Sequence, residues 1–124
     1  MNTAHKLQKY LSSVGVKKIF GIVGREGAAI LFDETKTDIE FVLTRHELSA
    51  GMMAISQSKL TGNTPQVCFA TLGPGATNLM TAIGSAYQDR HPLIAIVAQV
   101  ERNSIIYGDV HQCIDPVSVA KPIT

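Results

Sequence analysis

The 124-residue chain has no tryptophan, and its aromatic residues are three tyrosines and four phenylalanines. It has two cysteines, Cys68 and Cys113, 45 positions apart, with no C-x-x-C or His/Cys metal spacing. A disulfide framework and a zinc module are therefore excluded, and both residues read as reduced thiols. Charge of one sign is also missing. Seven lysines and four arginines face ten acids, giving a net charge of +1, so no basic field draws nucleic acid or an anionic membrane. The longest apolar runs, such as Leu93 to Ala98, span five or six residues, whereas a membrane helix needs about 20. The N-terminus leads into an amphipathic pattern and not a signal-peptide core, so the chain is expected to be cytoplasmic. With 45% apolar residues, residues 1–124 read as one self-folding domain, since domains commonly run to about 100–150 residues.

Along the chain, apolar runs alternate with helical periodicity. Thr3 to Val14 reads as a helix capped by Thr3, and Ile19 to Val23 as a buried strand closed by a turn at Gly24-Arg25-Glu26-Gly27. Ala28 to Phe32 suits a short helix, Ile39 to Leu43 a second strand, and Arg45 to Leu60 a long helix ended by Gly62. Val67 to Thr71 reads as a third strand, Ala76 to Tyr87 as a helix after Gly73-Pro74-Gly75, and Leu93 to Ala98 as a fourth strand. Glu101 to Cys113 carries little signal, and Asp115 caps a short helix to Ala120 stopped by Pro122. Continuous apolar strands separated by helices predict an α/β fold: an open parallel sheet with helices on both faces and right-handed crossovers.

In such a sheet, ligands bind beyond the carboxyl ends of the strands. Those segments are Val23 to Gly27, Thr44 to Glu47, Thr71 to Asn78 and Gln99 to Cys113. Gly21, Gly24 and Gly27 are spaced G-x-x-G-x-x-G, which fails the dinucleotide fingerprint G-x-G-x-x-G, and there is no P-loop. Thr44-Arg45-His46-Glu47 has the spacing of a capping box, with Thr44 as the cap. His46 has no second ligand candidate at i+3 or i+4 and reads as a structural or surface histidine.

Phe20-Gly21-Ile22-Val23-Gly24, Arg45-His46-Glu47, Thr61-Gly62, Thr71-Leu72-Gly73-Pro74-Gly75-Ala76-Thr77-Asn78, Pro92-Leu93-Ile94 and His111-Gln112 follow one another in an order that resembles a known family. It is the N-terminal pyrimidine-binding domain of thiamine-diphosphate enzymes, and the spacing is similar to that of acetohydroxyacid synthase-like members. Gly24-Arg25-Glu26, Ile30 to Glu34 and Asp109 to Cys113 look most similar to carboxyethylarginine synthase. Two features depart from the family pattern. Val23 stands where many members have proline, and Ile55-Ser56-Gln57-Ser58-Lys59 replaces a D-G-Y-A-R-like stretch.

The resemblance implies thiamine diphosphate as cofactor, held here by its pyrimidine end. Glu47 would exchange a proton with N1′ of the aminopyrimidine and so promote loss of the C2 proton. That role needs a carboxyl shielded from water, whereas a capping carboxylate at a helix start is favoured as the ion, so the two readings demand opposite proton affinities. Val23, Gly24, Thr71, Gly73 and Pro74 would lie against the ring. Asn78 would hydrogen-bond nearby or hold the turn, and His111 and Gln112 would reach the reacting end. No metal ligand is assigned. The family holds the diphosphate and Mg2+ on a separate domain through G-D-G…N, and Gly108-Asp109-Val110 with 15 residues after Asp109 does not supply it.

The expectation is the pyrimidine-binding half of a decarboxylase or carboligase, inactive alone and completed by a pyrophosphate-binding domain of a dimer or tetramer. A fragment of a longer protein is the first explanation and a natural separate subunit the second. The alternative from another class is a non-catalytic binding or assembly module that keeps the fold.

Overall fold

The fold is described from a computed structural model, which covers residues 2–31, 37–107 and 111–124. Four short strands, β1 (Lys18–Gly21), β2 (Glu40–Leu43), β3 (Gln66–Ala70) and β4 (Leu93–Val97), form one sheet of order β2-β1-β3-β4. Every pairing is parallel. The connecting helices are α1 (Thr3–Ser13), α2 (Arg25–Leu31), α3 (Glu47–Leu60), α4 (Pro74–Asp89), α5 (Arg102–Tyr107) and α6 (Pro116–Ala120), with a final 3-10 turn at Lys121–Ile123. The α/β class and parallel sheet expected from the sequence are present.

Strand alternation divides the core in two. Phe20, Cys68 and Ala70 face α3 and α4, where they meet Ala50, Ala54, Ile55, Leu79, Ala82, Ile83 and Ala86. Ile19, Val67 and Phe69 face the other way, against Leu11, Val16 and Ala98, with Leu7 and Leu31 alongside. Both sheet faces are thus covered, which explains why the strands read as continuous apolar runs. Helix α1 is tied to α2 and to Thr37 by buried Gln8, whose amide donates to the Ile30 carbonyl at 2.6 Å and whose Oε1 accepts from Thr37 at 3.2 Å. Among the described residues, no helix is long and apolar enough to cross a membrane.

Several boundaries differ from the sequence reading. Asn2, not Thr3, caps α1, its side chain accepting from the His5 amide at 2.8 Å. Strand β1 stops at Gly21, where a side chain would strike the Phe69 backbone, and Arg25–Leu31 is helical where a turn at residues 24–27 was expected. Helix α4 begins at Pro74, with proline in its first turn, and α5 occupies part of the segment that carried little signal. Asp115 does cap α6. Hydrogen bonds from the Ser118 hydroxyl and amide hold its carboxyl below the usual value. The expectations for Phe32, Asp33, Glu34 and Gly108-Asp109-Val110 fall outside the described residues.

Candidate active site

The order β2-β1-β3-β4 contains a reversal. From β1 the chain crosses to β2 on one side, then returns beyond β1 to β3 and continues outward to β4. The loops leaving β1 and β3 therefore diverge, opening a crevice between the carboxyl ends of these adjacent strands, where open α/β sheets bind their ligands. One wall is Ile22-Val23-Gly24, half-buried, and the other is Thr71 to Asn78.

The two walls approach closely at Gly24. A side-chain carbon there would lie 2.7 Å from Thr71 Oγ1, so glycine keeps the mouth open. Gly73 has φ +57°, a conformation that side chains resist, and a carbon on it would run into the backbone of Gln112 and lie 2.7 Å from its Cβ. Gln112 thus packs over Gly73, the residue that caps α4. Gln112 itself takes φ +52° there.

Glu47 begins α3, is 7% exposed, and lies at the floor of the crevice. Its Oε2 accepts a hydrogen bond from the Asn78 side-chain amide at 3.1 Å. A carbon on Gly75 would sit 3.3 Å from Glu47 Oε1 and 3.1 Å from Thr71 Cγ2, so bare backbone separates the carboxylate from the β3 wall. Glu47 is not the reciprocal half of a capping box. The cap is His46, whose ring Nδ1 accepts from the Leu48 amide at 3.1 Å, while the Thr44 hydroxyl donates to the His46 carbonyl at 3.1 Å. His46 takes the capping site because its extended backbone aims the ring at the first turn, and this leaves the Glu47 side chain free to reach Asn78.

The structure therefore joins Gly24 with Thr71, Glu47 with Gly75 and Asn78, and Gly73 with Gln112. Val23 is half-buried after β1, Pro74 is exposed at the start of α4, and His111 is exposed in the turn that brings Gln112 in. Gly75 was not singled out by the sequence reading. It was read as part of the break before a helix at Ala76, whereas it lies inside α4, where backbone propensity alone disfavours glycine.

A buried carboxylate beside a glycine-lined crevice suits a flat heteroaromatic ring whose edge both donates and accepts protons. Nothing comparable suits a metal: among the described residues, no group of three or more His, Cys, Asp or Glu is placed to hold one.

Comparison with known proteins identifies the family and the fold. Residues 1–119 match the family model described as thiamine pyrophosphate enzyme, N-terminal TPP binding domain. The chain is 35% identical to the probable 2-ketoarginine decarboxylase AruI of Pseudomonas aeruginosa, over 100% of this chain and 22% of that protein. It is 40% identical to the probable acetolactate synthase large subunit of Methanocaldococcus jannaschii, over 100% of this chain and 21% of that protein. An X-ray structure assigned to a thiamin diphosphate-dependent enzyme of Mycobacterium smegmatis superposes with a TM-score of 0.85 at 28% identity, covering 98% of this chain and 23% of that one. The chain spans about a fifth of the length of these relatives. It belongs to the thiamine pyrophosphate enzyme family, in which it corresponds to the N-terminal TPP binding domain.

Proposed function

We propose that this chain forms the pyrimidine-binding wall of a thiamine-diphosphate-dependent decarboxylase or carboligase acting on 2-oxo acids, with Glu47 as its proton-exchanging residue. The observation that carries the reading is the Glu47 carboxylate, 7% exposed at the carboxyl ends of the strands and beside a glycine-bounded crevice. The bound cofactor would supply a nucleophilic thiazolium carbon. Glu47 would hold or release a proton at N1′ of the pyrimidine, and Asn78 would fix the carboxylate's direction by donating to Oε2. Val23, Gly24, Thr71, Gly73 and Pro74 would meet the ring, largely through backbone. Gln112 and His111 would sit toward the reacting end.

The pyrophosphate end and its Mg2+ would be held by a pyrophosphate-binding region outside residues 1–124, in a dimer or larger homo-oligomer, and the 124 residues alone would not turn over substrate. The relatives named for acetolactate synthesis and for 2-ketoarginine decarboxylation support 2-oxo acids as the substrate class.

The test combines the chain with a pyrophosphate-binding domain, thiamine diphosphate and magnesium, and follows exchange of the cofactor C2 proton in native protein and in Glu47→Gln. Exchange should fall by about a hundredfold or more in the variant, the scale of general acid–base contributions. Equal rates would remove Glu47 from this role. A failure to bind cofactor would favour a non-catalytic module.

A further inference from the structure

The start of α3 is pinned from several sides. The Thr44 amide donates to the Gly21 carbonyl at 2.9 Å, which ties the segment to the end of β1, and the Thr44 hydroxyl donates to the His46 carbonyl at 3.1 Å. That carbonyl also accepts from the amide of buried Ala50 at 3.1 Å. The Glu47 backbone lies between this fixed carbonyl and the Leu48 amide, and the Leu48 amide is held by Nδ1 of the exposed His46 ring.

A ring nitrogen accepts a hydrogen bond only when it carries no proton. The contact therefore requires the neutral imidazole with its hydrogen on Nε2, and histidine is the side chain that exchanges this form for the cation between about pH 5 and 8. Protonation removes the acceptor and sets a positive charge at the helix end whose dipole repels it. Thr44 does not substitute through a capping box, because the amide such a box would offer Glu47 is committed to Gly21. Arg45 and Glu47 adjoin His46 in sequence, and among the described residues His46 enters no ion pair. Of the elements packed on α3, β1 carries Lys18 at its far end, β3 carries Cys68, β4 has no titratable side chain, and α4 has Tyr87 and Asp89 in its last turn. None of these strands, nor the near end of α4, supplies a carboxylate to offset an imidazolium.

We propose that His46 is a positioning residue: as neutral imidazole it fixes the first turn of α3 so that the Glu47 carboxylate meets Asn78, and as imidazolium it releases that turn. The site then loses proton exchange as pH falls, through a residue that acts on Glu47 and not on the cofactor. This role rests on the reading of Glu47 as the proton-exchanging residue.

The experiment compares native protein with His46→Asn and His46→Ala from pH 5 to pH 8. Asparagine accepts at a helix start and does not titrate, alanine accepts nothing, and His46 is exposed, so neither change disturbs the core. Cofactor C2 proton exchange is measured with the chain combined with a pyrophosphate-binding domain, thiamine diphosphate and magnesium. The Leu48 backbone amide and the Asn78 side-chain amide are followed by NMR in the chain itself. At pH 8 the native and Asn proteins should exchange alike and the Ala variant about fivefold more slowly, the scale of one helix cap. The ratio of native to Asn exchange should fall about fivefold from pH 8 to pH 5, while titration of Glu47 and of the cofactor, common to both proteins, cancels. Both amides should shift over that range by more in native protein than in the Asn variant. A flat ratio, or an Ala variant that exchanges as fast as native at pH 8, overturns the role of His46 and leaves that of Glu47 standing. Absence of exchange in all three proteins overturns the reading of Glu47, and the amides then decide His46 by themselves: amides that titrate alike in native and Asn proteins overturn its hold on the turn.

Discussion

The Asn78 amide donates to the Glu47 carboxylate at 3.1 Å, linking the second turn of α4 to the first turn of α3 across 31 residues of sequence. One helical turn further on, Gly51 faces Ala82, a pair again 31 apart, and a carbon added to Gly51 would strike the Ala82 methyl and lie 3.2 Å from Leu79 Cδ1. Small residues at this crossing let the helix axes come close. The polar contact at the site and the apolar contact beneath it are two steps of one helix–helix interface, so the core sets where the Glu47 carboxylate stands.

If Asn78 positions Glu47, its substitutions should rank by charge as well as by size. Asn78→Ala removes one hydrogen bond to a charged group, worth about 1.5–3 kcal/mol when well shielded, and Asn78 is itself exposed. A loss of about tenfold in C2 proton exchange is expected. Asn78→Asp should lose more, because a second carboxylate would face the first. Exchange measured in the native protein and both variants checks this, and an Asp variant as active as the Ala variant would count against a positioning contact.

The Gly51 contact gives a separate expectation. Gly51→Ala improves helix propensity by about 1 kcal/mol, yet its methyl has no room against Ala82. Overpacking of a dense core costs about 1–3 kcal/mol, so the net effect should be destabilising, seen as a lower denaturation midpoint in urea. Cofactor exchange should fall with it, since separating α3 from α4 separates Glu47 from Asn78. A variant more stable than native would show that the helices part without cost.

The sheet and the break at Gly73 were legible because their signals are local, apolar runs of strand length and a glycine after a strand, although Pro74 and Gly75, read as part of that break, belong to α4. The cap of α3 was not. Thr44 and Glu47 have capping-box spacing, but the extended backbone at residue 46 gives the cap to His46, and spacing does not reveal backbone direction. Helix α5 was missed since Arg102 to Tyr107 is short and bounded by polar residues. The Gly73–Gln112 contact depends on a turn returning from 39 residues away, which no local pattern encodes.

Cys68 lies on β3 with no exposed surface, and its thiol donates to the Ile94 carbonyl at 3.8 Å. Burial pushes its pKa up to about 12, against an opposing backbone hydrogen bond. Below pH 9 the thiol keeps its proton whether the chain is folded or unfolded. Between 9 and 12 the unfolded chain releases a proton that the folded chain retains, so stability is lost as pH rises, by at most about 1.4 kcal/mol per pH unit. Urea unfolding at pH 8 and pH 10 should show a steeper decline for native protein than for Cys68→Ala. At pH 8 a thiol reagent should label half-buried Cys113 and spare Cys68 until the protein unfolds.

Gly73 and Gly62 separate backbone strain from crowding. Both have positive φ, +57° and +69°, but nothing lies within 4 Å of a carbon added to Gly62, while one added to Gly73 runs into Gln112. Gly62→Ala should therefore register conformational strain alone, about 1 kcal/mol. Gly73→Ala adds displacement of the 111–113 turn, and its ψ of −114° makes the backbone less accessible to alanine than the left-handed helical region of Gly62. A loss of about 2–3 kcal/mol is expected by denaturant unfolding. Backbone amide shifts of Gln112 and Cys113 should move in Gly73→Ala and stay in place in Gly62→Ala. If the two variants lose equal stability and the Gln112 amide does not move, the turn does not rest on Gly73, and Gln112 is not held over the crevice by the absence of a side chain there.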